Sequence, residues 1–241
     1  MFVGHYGVSF AAKKPAPRLS LGVLFLAVQL LDILFAIFVL LGVEKLRIVP
    51  GFTAFNPYDL YWMPYSHSLL GALIWSALTT LVALAALRHL RSRDKRIAAG
   101  LLGAAVFSHF LLDLPMHTPD LPLGLDAASP KIGLGLWNHP VLSLAAELLV
   151  LGVGVAIYVR ATRARSRAAA IRTWILVGVL VALTLATPLF PVPPSDRAFG
   201  VQALVLYGLL AAAAEWIDRG RAPRLVAVPQ EAGGRKPEAA E

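Results

Sequence analysis

The stretch IAAGLLGAAVFSHFLLDL, residues 97–114, decides how this chain folds. Its side chains are apolar or small except for His109 and Asp113 near the end. An α-helix of this length crosses a hydrocarbon core of roughly 30 Å. The stretch therefore predicts a membrane-spanning helix that carries an imidazole and a carboxylate.

Runs of the same apolar character lie on both sides of this stretch. The 241 residues are 58% hydrophobic and 15% charged, whereas a soluble domain has about 45–50% apolar and about 25% charged residues. We predict one all-α domain over residues 1–217, a polytopic membrane bundle of about six transmembrane helices. The predicted spans cover residues 19–43, 67–90, 97–114, 141–159, 173–190 and 198–217.

The two ends of the chain fall outside these spans. Residues 1–12 are apolar, but a helix of that length rises only about 18 Å, too little to cross. We predict a short N-terminal helix that lies at the interface or re-enters the membrane, folding back against the first span so that His5 approaches Asp32. Residues 218–241 are polar, and we predict a disordered cytoplasmic tail there.

The basic residues alternate from one connection to the next. Of the 22 Lys and Arg, 18 lie in residues 1–18, 88–96, 160–172 and 218–236. This pattern indicates that these segments, and both termini, face the cytoplasm. The net charge of +8 thus reflects topology and contacts with the lipid bilayer, and it does not favour nucleic acid as a partner, since no basic domain stands apart.

His109 and Asp113 are four residues apart, a spacing that puts both on one face of a helix. One metal ion can then take a nitrogen and an oxygen ligand from a single turn. A buried hydrogen bond between the two side chains is the alternative. The chain has no cysteine, so a metal would have to be held by His, Asp and Glu.

Further ionisable residues are expected at the same membrane depth. His67 opens the second span, His117 follows the third, Asp32 lies within the first and Glu147 within the fourth. Helical bundles build two-metal carboxylate sites from such sets of acids and imidazoles. The same groups could instead relay protons or bind transported ions, or merely satisfy one another.

These residues resemble a known family, the YdjM-like inner-membrane metal-dependent hydrolases, and are more distantly similar to zinc-dependent phospholipase C and its related nucleases. The resemblance covers about residues 1–160 and rests on Gly4-His5, Gln29-Leu30-Leu31-Asp32, Tyr65-Ser66-His67-Ser68-Leu69-Leu70, Ser108-His109-Phe110-Leu111-Leu112-Asp113, His117-Thr118-Pro119-Asp120, Leu136-Trp137-Asn138 and Glu147. It implies a bacterial inner-membrane hydrolase that acts on a phosphoester or lipid-like substrate through a metal-activated water. A transporter or metal-handling membrane protein that uses the same residues without hydrolysis is the alternative.

The resemblance also implies the ligand set. The expected metal ligands are His5, Asp32, His67, His109, Asp113, His117 and Glu147. Ser143 stands where the phospholipase-like proteins have a further His, so one or two ions are expected instead of three. Zinc is the first expectation, with manganese or iron as alternatives.

The expected ligands divide into two groups. We assign Asp32, His67, His109 and Asp113 to one ion, and His5, His117 and Glu147 to a second, with Asp113 as a possible bridge. Either Asp120 or Glu147 is expected to accept a proton from the attacking water.

Overall fold

The computed structural model describes residues 1–224 and is mostly helical. This confirms the prediction of an all-α bundle. The helices are α1 (Val3–Ala12), α2 (Leu21–Val28), α3 (Leu30–Leu40), α4 (Leu69–Ala86), α5 (Ser92–Met116), α6 (Pro140–Ala161), α7 (Arg167–Ala186) and α8 (Asp196–Arg219). Single turns of 3₁₀ helix cover Leu136–Asn138 and Thr187–Leu189.

The long helices have the length and apolar character of membrane spans. Five of them, α4 to α8, meet both conditions, and α2 and α3 together form a sixth candidate. Serine side chains begin several of these helices, because their hydroxyl oxygens accept bonds from amides that have no partner within the helix. Ser68 caps α4, Ser166 caps α7 and Ser195 caps α8 in this way.

The first predicted span, residues 19–43, is not a continuous helix. It breaks at Gln29, and α2 and α3 are bent by 58° relative to each other. The imidazole of His109 forms a hydrogen bond with the main-chain carbonyl of Val28 at 2.7 Å. In an unbroken helix this carbonyl would accept the amide of Asp32 instead. A side chain inserted into the hydrogen-bond ladder is a known cause of such bends.

The N-terminal helix α1 lies inside the bundle. Val3, His5 and Phe10 have no exposed surface. Its main neighbour is α6, and it also contacts α5 and α2. Since α2 is the first part of the first predicted span, the expected packing against that span is present, but it is not the main contact of α1. Gly154 allows this close approach, because a Cβ there would overlap the backbone of Gly7.

The basic segments meet at one end of the bundle. Lys13 pairs with Asp218 at 2.7 Å, and Arg18 pairs with Asp94 at 3.0 Å. At the same end, β5 (Thr162–Ala164) pairs antiparallel with β6 (Arg221–Pro223). The grouping agrees with the predicted alternation of charge.

The opposite end carries two short antiparallel strand pairs. One joins β1 (Lys45–Ile48) to β2 (Tyr58–Trp62), and the other joins β3 (Leu121–Pro122) to β4 (Lys131–Ile132). The side chain of Lys131 donates to the Tyr61 carbonyl at 2.9 Å and so connects the two pairs. Both long connections therefore cover the end of the bundle where His67 and His117 lie.

The predicted start of the disordered tail, at residue 218, is too early in the chain. Residues 218 and 219 complete α8, and residues 221–223 form β6. The cause is a tertiary contact, because Arg221 donates to the Thr162 and Thr173 hydroxyls and becomes buried. Residues 225–241 lie outside the described part of the chain.

Candidate metal centre

Asp113 lies at the centre of the ionisable cluster. Its carboxylate is 3.0 Å from Nε2 of His109, 3.2 Å from Nε2 of His5, 3.6 Å from Nε2 of His117 and 3.8 Å from Nε2 of His67. These four imidazoles come from α1, from α5 and its C-terminal end, and from the residues just before α4. The helical spacing of His109 and Asp113 thus puts both on the face where the other elements converge.

Two sets of ligand atoms are close enough to share an ion. Asp32, His67 and His109 offer atoms that all lie within 4.8 Å of one another, and so do His5, His109 and Asp113. In the first set, Oδ1 of Asp32 is 3.3 Å from Nε2 of His67 and 3.5 Å from Nε2 of His109. His109 belongs to both sets, so the two positions are adjacent.

The structure does not bring the second predicted group of ligands, His5, His117 and Glu147, together around one position. His5 lies with His109 and Asp113, and its ring stacks on that of His109 with centroids 3.9 Å apart. Within residues 1–224, His5, His117 and Glu147 do not form a group of ligand atoms this close. The reason is that α1 enters the bundle beside α5, which the sequence does not reveal.

Glu147 binds the beginning of α1. Its carboxylate accepts the amides of Phe2 at 2.7 Å and Gly4 at 2.6 Å, and the amine of Met1 donates to Asp113. The first amides of a helix lack partners within the helix and favour a negative charge. Glu147 therefore positions His5, although it also borders the cavity beside the cluster.

Hydrogen bonds to outer groups determine which nitrogen of each imidazole carries the proton. Nδ1 of His109 faces the carbonyl of Val28 at 2.7 Å, and Nδ1 of His117 faces the Asp120 carboxylate at 2.8 Å. Both oxygens can only accept, so each Nδ1 must donate. Nε2 is then the nitrogen that each ring presents to Asp113.

His67 is held in the same way through a serine. The Ser66 hydroxyl donates to buried Glu44 at 2.5 Å and lies 2.8 Å from Nδ1 of His67. Since the hydroxyl hydrogen is used by Glu44, the serine oxygen accepts from Nδ1. The Nε2 lone pair of His67 then points towards Asp32 and Asp113.

The resulting arrangement is suited to a bound cation. Three imidazoles direct Nε2 towards the carboxylates of buried Asp113 and half-buried Asp32. The Nε2 lone pair of a neutral ring is repelled by a carboxylate unless a metal ion or a proton lies between them. Nε2 of His109 is 3.0 Å from Asp113, yet this atom and both ring nitrogens of His5 make no hydrogen bond within the described chain. Outward-donating Nδ1 groups are the usual support of metal-bound histidines. These His and Asp residues therefore can hold a metal ion.

Burial and local charge shift the pKa of two groups outside the spans. Burial raises the pKa of Glu44, although hydrogen bonds from Ser66 act against this. Burial alone would lower the pKa of His117. The carboxylates of Asp120 and Asp113 raise this pKa by more than burial lowers it, so the net shift is upward. The upward shift of His117 reflects the negative charge that surrounds its ring.

Asp120 supports His117 and does not itself reach the carboxylates at the centre. It is buried, and its second oxygen accepts from the Thr118 hydroxyl at 3.0 Å. The ring of Trp137 covers the other side of His117, with centroids 4.1 Å apart. The exposed histidines His89 and His139 take no part in the cluster.

Tyr207 is a site residue that sequence reasoning missed. Its hydroxyl, on α8, donates to Oδ2 of Asp32 at 3.0 Å and leaves Oδ1 facing His67 and His109. Glu44 was also missed, although an acid directly after an apolar span is a signal that could have pointed to it. No comparable signal marks Tyr207, since a tyrosine is common in a span.

A cavity of about 500 Å³ opens beside the cluster. Asp32, His67, Asp113, His117 and Glu147 border it on one side. Residues of α7, of α8 and of the connection between them line much of the remainder. The volume lies within the range of about 300–1,000 Å³ that small-molecule sites occupy.

Comparison with known proteins does not assign this arrangement to a family. No family model, no curated protein and no solved structure matches the chain. The geometry of the cluster is therefore the basis for a functional conclusion: helices long and apolar enough to span a membrane enclose a buried His/Asp cluster that can hold a metal ion.

Proposed function

We propose that this chain is a membrane-bound, metal-dependent hydrolase that acts on a phosphoester or lipid-like substrate. The observation that carries the proposal is the orientation of His67, His109 and His117, which bond outward through Nδ1 and turn Nε2 towards Asp32 and Asp113. The similarity of the sequence motifs to the YdjM-like hydrolases supports the same reaction class.

The chain supplies ligands for one or two adjacent ions. Asp32, His67 and His109 would hold one, and His5 with Asp113 would complete a second position that shares His109. When bound, a divalent ion supplies Lewis-acid polarisation of an ester oxygen and a water of lowered pKa. We propose zinc, because imidazole and carboxylate donors suit it, with manganese or iron as alternatives.

The remaining residues would orient ligands and handle protons. Ser66 and Asp120 keep the rings of His67 and His117 in a ligating orientation, while Trp137 covers His117. Both carboxylates proposed as proton acceptors already accept hydrogen bonds, Glu147 from α1 and Asp120 from His117 and Thr118. Only Glu147 of the two borders the cavity. We therefore favour Glu147 for this role.

The proposed location is the bacterial inner membrane, with both termini in the cytoplasm. The gathering of the basic segments at one end of the bundle supports this orientation, because positive connections are retained on the cytoplasmic side. The cluster would then lie towards the outer face. The bilayer is the expected surrounding, and nothing in the charge distribution favours nucleic acid as a partner.

Metal analysis and hydrolysis assays on detergent-purified protein test the proposal together. We expect bound zinc, and hydrolysis of bis(p-nitrophenyl) phosphate that a chelator abolishes and added zinc restores. The His109→Ala variant should lose both properties, whereas His89→Ala, which changes an exposed histidine, should retain them. Bound metal without chelator-sensitive hydrolysis would favour a metal-handling or transport role instead. Absence of metal in the native protein would contradict the metal centre itself.

A further inference from the structure

The last two long helices, α7 and α8, contribute none of the proposed metal ligands. They nevertheless form much of the wall of the 500 Å³ cavity that begins at the cluster. The wall residues from this part of the chain are Leu183, Thr184, Thr187, Phe190, Pro191, Pro193, Phe199, Gln202, Ala203, Leu206 and Tyr207. A wall of this extent needs an explanation beyond support of the cluster.

The wall offers few hydrogen-bonding groups. The hydroxyls of Thr184 and Thr187 donate to carbonyls of their own helix, at 3.0 Å in both cases, and that of Tyr207 donates to Asp32. The opposite side adds the aromatic rings of Phe35 and Phe55. Gln202 in the wall and Asn56 on the opposite side add side-chain amides. The remaining lining away from the cluster is mainly apolar, and the carboxylates and imidazoles are concentrated where the cavity meets the cluster.

Exposed apolar residues continue this surface at the α7–α8 connection. Leu189 is 83% exposed, Phe190 53% and Val192 47%. In a chain with membrane-length helices, such side chains at a helix end are suited to contact with lipid and not with water. The connection that borders the cavity therefore also faces an apolar environment.

We infer that α7 and α8 form a chamber for the hydrocarbon chain of an amphiphile, whose polar end lies against the His/Asp cluster. A chain of methylene groups leaves water on entering such walls and gains free energy, whereas a polar molecule would lose hydrogen bonds that the walls do not replace. That this amphiphile is a substrate rests on the proposed hydrolase function, whereas the binding of its hydrocarbon chain does not.

Because the chain has no natural cysteine, an introduced thiol can report on the chamber. In Ala203→Cys the thiol lies in the chamber wall, and in Leu189→Cys it lies on the exposed connection, outside the lining. Each purified variant is treated with a small water-soluble thiosulfonate, alone and with hexadecyl phosphate or ethyl phosphate. The rate of thiol modification is measured by mass spectrometry.

We expect hexadecyl phosphate, at about ten times its dissociation constant, to slow modification of the Ala203→Cys variant by about tenfold, because only the unoccupied fraction reacts. Ethyl phosphate should not protect, and Leu189→Cys should react equally under all conditions. Adding Leu206→Trp to Ala203→Cys should remove the protection while metal content stays unchanged, whereas adding Leu209→Trp, on an exposed face of α8, should not. No protection, equal protection by ethyl phosphate, equal protection at both cysteines, or an unreactive Ala203→Cys thiol would each overturn the inference.

The result separates this inference from the proposed function because thiol modification needs no turnover. A chelator should weaken protection without abolishing it, because the phosphate then faces the carboxylates of the cluster without a cation while the hydrocarbon contacts remain. Protection without any chelator-sensitive hydrolysis would contradict the hydrolase proposal alone. Chelator-sensitive hydrolysis of a soluble phosphoester without protection would contradict the hydrocarbon chamber alone.

Discussion

The imidazole of His109 donates through Nδ1 to the main-chain carbonyl of Val28, 2.7 Å away. This contact links two features that the sequence shows separately, a histidine in the third predicted span and a carboxylate in the first. It ends α2 and starts the bend into α3, and Asp32 thereby reaches 3.5 Å from Nε2 of the same ring. One hydrogen bond thus orients a proposed ligand and helps to position another.

Removal of a central ligand should release metal. His109→Ala removes a ligand from both proposed ion positions, and Asp113→Ala removes one from the position that also contains His5. Bound metal should therefore fall by more than the roughly 10–100-fold loss of affinity that follows when a residue supporting a ligand is changed. Metal content after dialysis against a metal buffer measures this. The His89→Ala variant is the control, and equal metal content in all three proteins would contradict the proposed centre.

Removal of the Tyr207 hydroxyl should weaken metal binding. In Tyr207→Phe the ring remains, but Asp32 loses the bond that turns its Oδ1 towards His67. We expect affinity to fall by about 10–100-fold, with little change in the thermal unfolding temperature. Competition with a chromogenic chelator gives the affinity. Tyr61→Phe, at a ring that contacts Arg47 on the outer hairpin, should leave it unchanged.

The serine between Glu44 and His67 should be needed to orient the imidazole. Ser66→Ala removes the acceptor of Nδ1 and leaves the buried Glu44 carboxylate without its hydroxyl partner. Metal affinity should fall by about 10–100-fold, and stability should fall as well because a buried charge loses a donor. Ser76→Ala, which removes a hydroxyl that donates to the Ala72 carbonyl of its own helix, is the matched control for chelator competition and thermal unfolding.

Close packing of α1 on α6 should be required for the position of His5. Gly154→Ala would force a methyl group into the backbone of Gly7, at a cost of about 1–3 kcal/mol. Thermal unfolding and metal content should both decrease. Gly152→Ala, two residues away on α6, meets no described atom within 4 Å and should stabilise the helix by up to about 1 kcal/mol. Equal effects of the two substitutions would show that the helices are not in this contact.

The orientation in the membrane can be tested with single cysteines. Ser92→Cys lies in a basic connection and Ala127→Cys lies between β3 and β4, and both positions are exposed. In intact cells a membrane-impermeant maleimide should label only the Ala127→Cys variant, because positive connections are retained in the cytoplasm. Labelling of Ser92→Cys instead would reverse the proposed topology.

Much of the architecture can be predicted from local properties of the sequence. The length and apolarity of the runs predict the helices, and the helical period puts His109 and Asp113 on one face, because both depend on residues close together in the chain. The sequence also predicts that His67, His117 and Asp32 lie at similar depth. The distribution of Lys and Arg likewise predicts which connections share one end of the bundle.

The tertiary structure decides which of these groups meet. The bend at Gln29, the position of His5 beside His109, the binding of the α1 amides by Glu147 and the contact from Tyr207 to Asp32 all join residues far apart in sequence. Each depends on the packing of one helix against another, and helix periodicity carries no information about a partner. The sequence by itself determined a membrane bundle with acids and imidazoles near one end, whereas the packing of α1, α5 and α8 decided which oxygen faces which nitrogen.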